Sequence, residues 1–148
     1  MQIKPQQLEP FRQWLTETLA AFPRSTYNGF MDETEMRLLE RLRAIYSETT
    51  IEHILRPHNM GSLQNPDGYA AYNTGDGETI KIWLRVRNSV IEEAAFWTNG
   101  CAATIACASM STDFARGRSV SQALALSAQE IADALEDLPP GNFHCAEL

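Results

Sequence analysis

The stretch from Ile80 to Thr98 constrains the fold more than any other. Ile80, Ile82, Leu84 and Val86 alternate with Lys81, Trp83 and Arg85, a period that fits a half-buried strand and no helix. Asn88-Ser89 has turn chemistry, and Val90 to Thr98 follows as a second strand, so the spacing predicts a hairpin. A shorter strand is expected at Tyr69 to Tyr72, between the turn Asn65-Pro66-Asp67-Gly68 and the polar loop Asn73-Thr74-Gly75-Asp76-Gly77-Glu78. The three make an antiparallel meander with one buried face.

Helical patterns flank that sheet. Leu8, Phe11, Leu15, Leu19 and Phe22 share one face of a helix expected over residues 5–22, which Pro23 and Ser25-Thr26-Tyr27-Asn28-Gly29 break. Asp32 and Glu35 form a capping box for a second helix. It carries Met36, Leu39, Leu42 and Ile45, and is expected to run on through Tyr46 towards Ile54 until Pro57 ends it. Arg56 to Gly61 reads as an ordered loop. After the sheet, a helix is expected from Ala103 to Arg116, with Gly117 as its stop. Ser119 with Gln122 caps a short helix through Leu126, and Ser127 with Glu130 caps another through Glu136. Pro139-Pro140 prevents further helix. Helices around a small antiparallel sheet define an α+β class.

Charge and cysteine usage exclude whole classes of function. Twelve Lys and Arg against 19 Asp and Glu, a net charge of -7, leave no basic stripe for phosphates, so no nucleic-acid partner is expected. No apolar run reaches membrane-spanning length, and Met1 to Gln7 is too polar for a secretory leader. Three cysteines with no leader fit a reducing, cytoplasmic setting, where thiols are free, metal-binding or reactive.

Two stretches carry the chemistry. Cys101 follows Thr98-Asn99-Gly100, where a strand turns into a helix whose free N–H groups stabilise a thiolate. A small apolar residue at a buried corner would read the same way. His144-Cys145 follows a double proline, on an irregular segment where adjacent side chains can point at one centre. If the fold unites them, Cys101, His144 and Cys145 make a soft nitrogen and sulfur set suited to zinc, iron or an iron–sulfur cluster. Cys107, among alanines and an isoleucine, reads as core. Asp76 and Glu78 share a face at the start of the long strand, although on spacing alone a solvated turn is the better explanation. Gly75 and Gly77 do not make a P-loop, because no Lys-Ser or Lys-Thr follows and a strand comes next.

From Tyr46 to the end the sequence resembles the scaffold proteins of iron–sulfur cluster assembly, the IscU/NifU N-terminal family. That family has a Tyr, then a His, then Asn-Pro-Arg-Asn-x-Gly; here stand Tyr46, His53 and Arg56-Pro57-His58-Asn59-Met60-Gly61, with two substitutions. Phe-x-Thr-x-Gly-Cys is matched by Phe96-Trp97-Thr98-Asn99-Gly100-Cys101 and a small-residue helix after it. Lys-Gly-Lys is matched by Arg116-Gly117-Arg118, and Leu-Pro-Pro-x-x-x-His-Cys by Leu138 to Cys145. The resemblance implies a SufE/NifU-type fold of three antiparallel strands with packed helices over residues 46–148; the helical pattern over residues 1–45 stands in front of it as an N-terminal extension. The resemblance also implies a non-enzymatic job: accepting sulfur from a cysteine desulfurase, binding iron or a [2Fe–2S] cluster, and passing it to apo iron–sulfur proteins. By motif position Cys101, His144 and Cys145 are ligands, with Cys145 the preferred sulfur acceptor. Leu138-Pro139-Pro140 overlaps the segment that DnaK-type chaperones recognise in some members, although Gly141-Asn142 replaces the usual Val-Lys.

Departures from the family pattern open alternatives. The family's first cysteine, in Cys-Gly-Asp, has no counterpart; without a gap Asp76-Gly77-Glu78 falls there, and Asp76 would take the cysteine's place. Asp76, Cys101, His144 and Cys145 would then form a mixed set, compatible with zinc and a weaker holder of a cluster. Three residues follow Cys145 where the family continues into a helix, and the apolar face of the N-terminal extension is expected to cover what that helix would cover. One alternative function is a degenerate scaffold, with zinc or no metal, that regulates or docks on a desulfurase. Others are a SufE-like sulfur acceptor working through one cysteine and, last, a Cys–His nucleophilic enzyme.

Overall fold

A computed structural model describes residues 32–136 and 138–148; the helix expected over residues 5–22 lies outside them. The chain divides into two compact units between Ala44 and Ile45. In the first, α1 (Glu33–Arg43) starts as its sequence requires. Glu35 N–H donates to Asp32 Oδ1 at 2.8 Å, and Asp32 N–H donates to Glu35 Oε2 at 2.9 Å, the reciprocal pair of a capping box.

The helix does not run on to Ile54. It stops at Ala44, and Ser47 caps a separate helix, α2 (Glu48–Leu55), by accepting the Thr50 N–H at 3.1 Å. The break has a long-range cause. Ser47 Oγ and Thr50 Oγ1 both donate to the carbonyl of Leu135, at 2.6 and 2.8 Å. Leu135 caps the C-terminus of another helix, so its carbonyl is one of the acceptors a helix end leaves open.

In the second unit β1 (Gly68–Asn73), β2 (Thr79–Arg87) and β3 (Val90–Thr98) form an antiparallel sheet in the order β1-β2-β3. The β2–β3 turn places Asn88 and Ser89 at φ 50° and 64°, the left-handed pair of a tight hairpin turn. Burial is less even than the alternation of β2 predicts. Ile80 is buried, whereas Ile82, Leu84 and Val86 are half-buried and β1 is largely exposed. The core lies instead over β3, where Ile91, Ala94, Ala95 and Phe96 are buried. The outer edge of β3 is occupied by other backbone. Phe96 exchanges hydrogen bonds with Asn59 and Gly61, and Ile91 with Gly117 and Arg118.

α3 (Ala102–Ala115) is the axis of this unit, with every residue from Ala103 to Met110 buried. Ile105 and Ala108 pack on Phe96 of the sheet. Ala103, Ala106, Cys107 and Met110 pack on Ile131, Ala132, Leu135, Leu138 and Cys145. Small residues allow this close approach on two sides. Gly117, at φ +81°, ends the run as expected.

α4 (Val120–Leu124) and α5 (Ala128–Ala134) begin with the capping boxes of Ser119 and Ser127. Both are shorter than expected. Leu126 N–H bonds back to Ala123 in a tightened turn, and Glu136 adopts a left-handed φ of 58°. After Pro139, a 3₁₀ turn at Pro140–Asn142 leads into a last short helix, α6 (His144–Glu147). No helix among the described residues is long and apolar enough to cross a membrane.

Candidate metal centre

Gly100 fixes the turn from β3 into α3. A Cβ there would stand 2.8 Å from both Cβ and Cγ2 of Thr104, closer than packed atoms tolerate, so only glycine fits. Its N–H donates to Thr98 Oγ1 at 3.0 Å. Cys101 then becomes the N-cap of α3, with an exposed side chain. On the other side, Leu138 anchors the C-terminal segment in the core. The 3₁₀ turn and α6 follow, carrying Cys145 into the core beside exposed His144.

The two motifs meet. Cys101 Sγ lies 3.8 Å from Cys145 Sγ, and Cys145 Sγ lies 3.5 Å from His144 Nε2. With metal–sulfur bonds of about 2.3 Å and metal–nitrogen bonds of about 2.0 Å, a tetrahedral site sets sulfurs about 3.8 Å apart and sulfur and nitrogen about 3.5 Å apart. The donors therefore fit a soft or borderline metal in chemistry and in these two spacings.

The thiols share their protons unequally. Cys145 donates to Cys101, which holds the Cys101 thiol well below the usual range; burial opposes this, and bonds from Thr104 and the backbone at the start of α3 add to it. The same hydrogen bond, and then burial, pushes the Cys145 thiol up. Cys101 is thus the exposed thiolate and Cys145 the buried thiol. Cys107 is 2% exposed, and burial pushes its thiol up to about 12, which agrees with its reading as core. Tyr46 packs at the same core, where burial and then the neighbouring thiols raise its phenol.

The carboxylate tied to this group is Glu78. Thr104 Oγ1 stands 3.5 Å from Cys101 Sγ and 3.4 Å from Glu78 Oε2, so its single O–H serves one of these two acceptors at a time. The loop before β2 is held against the turn into α3 by Asn99, whose Oδ1 accepts the Thr79 N–H at 2.6 Å and whose Nδ2 donates to the Gly77 carbonyl at 3.4 Å. Asp76 is exposed at the tip of that loop, in the turn closed by Gly77 N–H on the Thr74 carbonyl. The structure thus brings together Cys101, His144 and Cys145, sets Glu78 against Thr104 beside them, and leaves Asp76 exposed at the loop tip. The signal for Glu78 was its position directly before the strand, where the backbone is already held by Thr74.

Comparison with known proteins gives this geometry a context. Residues 45–148 match the family described as the NifU-like N terminal domain. The chain is 37% identical over 112 residues to the iron-sulfur cluster assembly scaffold protein IscU of Escherichia coli, spanning 70% of this chain and 84% of that protein. It is 35% identical over 105 residues to the iron-sulfur cluster assembly scaffold protein IscU 1 of Archaeoglobus fulgidus, spanning 70% of this chain and 69% of that one. Among solved structures, a putative iron-sulfur cluster assembly scaffold protein for the SUF system from Fervidobacterium islandicum superposes with a TM-score of 0.59. It covers 72% of this chain and 91% of its own at 16% identity, a likeness of fold.

Proposed function

The chain belongs to the NifU-like N-terminal family of iron–sulfur cluster assembly scaffolds, and from that premise we propose that it receives sulfur and iron as cargo, assembles them at the Cys101–Cys145 pair and hands the product to apo-proteins. The observation that carries the reading is the 3.8 Å separation of two sulfurs 44 residues apart in the chain, with His144 3.5 Å from the second. Relatives named as scaffold proteins support a role in holding and passing cargo.

Sulfur would arrive as the persulfide of a cysteine desulfurase. A thiolate attacks the terminal sulfur, the S–S bond breaks, and the desulfurase leaves as its own thiolate. The attacking sulfur must be reachable. Cys101 is exposed and Cys145 is 3% exposed, so exposure favours Cys101 as the first acceptor over Cys145, the candidate by motif position. Cys145, His144 and a carboxylate from Glu78 or Asp76 would complete the metal set. Leu138 is buried, so a DnaK-type chaperone would need this end to open before reading Leu138-Pro139-Pro140.

A second reading rests on the number of thiols. Cys101 and Cys145 stand together while Cys107 faces the core, so the cluster would hang on two sulfurs. That favours a weaker cluster holder, or a zinc-bearing protein that docks on the desulfurase. Anaerobic reconstitution with Fe²⁺, cysteine, a desulfurase and a dithiol reductant that takes persulfide sulfur to sulfide separates the two, with Asp76→Cys and Glu78→Gln alongside. Charge-transfer bands with matched iron and sulfide in the wild type support the scaffold. Bands in Asp76→Cys alone would replace that reading with the zinc-bearing one. Loss in Glu78→Gln would identify Glu78 as the carboxylate in use.

A further inference from the structure

A second cluster stands apart from the thiols. His53 on α2, His58 in the loop after it, and Asp113 near the C-terminal end of α3 bring ligand-capable atoms within 4.8 Å of one another. His53 is 6% exposed, whereas the side chains of His58 and Asp113 are 46% and 30% exposed. One donor is fixed in the protein and two face solvent, the side from which an ion would arrive. The imidazole rings lie 4.6 Å apart between centroids.

Each donor is held from behind. His53 Nδ1 lies 2.7 Å from Ser109 Oγ, which also accepts the His58 backbone N–H at 2.7 Å. With a proton on His53 Nδ1, the free lone pair of the ring is the one on Nε2. Asp113 Oδ1 accepts from Asn59 Nδ2 at 2.8 Å, and Oδ2 meets His58 Nδ1 at 2.5 Å. Asn59 is itself fixed, at φ +61°, with its carbonyl taken by the Phe96 N–H and its Oδ1 by Arg116. Metal-binding histidines and carboxylates are oriented by outer hydrogen bonds of this kind.

We propose that His53, His58 and Asp113 bind a divalent transition-metal ion of borderline softness, such as Zn²⁺, Co²⁺ or Fe²⁺. Two imidazoles and one carboxylate suit these ions, whereas Ca²⁺ and Mg²⁺ call for oxygen donors throughout. The 4.8 Å span exceeds the roughly 3.3 Å between donors of a tetrahedral site with bonds of about 2.0 Å. Closing that span calls for side-chain rotation of His58 and Asp113 towards the buried His53. The ion takes the place of the proton between His58 and Asp113, and it ties α2 and the following loop to α3. Cys101 and Asp113 are 12 residues apart on one helix, about 18 Å at the helical rise. The two centres therefore hold separate ions, and this site stands whether or not the scaffold reading does.

The test uses the full chain carrying Cys101→Ser and Cys145→Ser, which silences the thiols. Co²⁺ is titrated near neutral pH and followed by visible absorption and calorimetry. One equivalent should bind with bands of nitrogen and oxygen coordination, without sulfur charge transfer, and should raise the thermal midpoint. Adding His58→Arg, whose guanidinium still pairs with Asp113, should keep the fold and weaken Co²⁺ by at least about tenfold, as should Asp113→Asn. No saturable binding in the double-serine chain, or binding unchanged by both added substitutions, overturns the proposal.

Discussion

The two ends of α3 carry similar donors assembled by opposite means. At its N-terminus, Gly100-Cys101 meets Cys145 and His144, residues that announce themselves as short motifs. At its C-terminus, Asp113 meets His53 and His58, drawn from a helix and a loop with no joint signature. The first end is soft and built from a thiolate–thiol pair; the second is harder and held by amides and hydroxyls. Both depend on the same buried helix. The comparison teaches that a rigid central element can gather a separate set of donors at each end when each end borrows its remaining donors from different segments.

The sharpest way to break the comparison is to remove the core behind one end only. Leu135 is fully buried beside Cys145, and its carbonyl receives Ser47 and Thr50. Leu135→Ala should cost about 2–5 kcal/mol through the cavity it leaves. Denaturant unfolding measures that loss, and the native protein should also expose Cys145 to thiol reagents. A loss below 1 kcal/mol would mean that the thiol end does not rest on this core. Gly100→Ala should come next, at about 1–3 kcal/mol, because the new Cβ collides with Thr104. It should also disturb Cys101, so alkylation rate and stability should change together.

Most of the scaffold was legible because its signals are local. The capping boxes at Asp32, Ser119 and Ser127 each need only residues three apart, and all three formed. The hairpin at Asn88-Ser89 is equally self-contained. The break at Ser47 was not legible, since its reason is the Leu135 carbonyl 88 residues away. The even burial expected for β2 failed for a related reason: alternation says which residues could face a core, not where the core is placed. The meeting of Cys101 with Cys145 came from motif resemblance, and no spacing within the sequence implied it. The approach of Glu78 to Thr104 was not legible either, because it shows only in the folded loop, pinned by Asn99.

The three thiols sharpen the contrast within one end. Cys101 should alkylate fastest, Cys145 more slowly, and Cys107 only after unfolding. The Cys101 thiol is depressed by its bond from Cys145, so its thiolate persists as pH falls below the ordinary thiol value. Its alkylation rate should fall less than the roughly tenfold per pH unit of a free thiol below about pH 8. Mass spectrometry of peptides at successive pH values checks this. In Cys145→Ala the hydrogen-bond donor is lost and the rate should fall more steeply with pH.

The smallest expected effect belongs to the other end and concerns His53. Burial, and then the neighbouring His58, lower its pKa, against the opposing pull of Asp113 and Glu52. The unfolded chain therefore takes up this proton at a higher pH than the folded one does. The contribution of His53 is fully present above about pH 6.5 and is lost as pH falls towards the depressed value. Denaturant midpoints of the chelated, metal-free protein should decline across that window more steeply than those of His53→Gln. Equal slopes would mean that the imidazole exchanges its proton freely with water in the folded state. The C-terminal end of α3 would then be an ordinary wet surface, and the likeness between the two ends would reduce to the presence of a histidine at each.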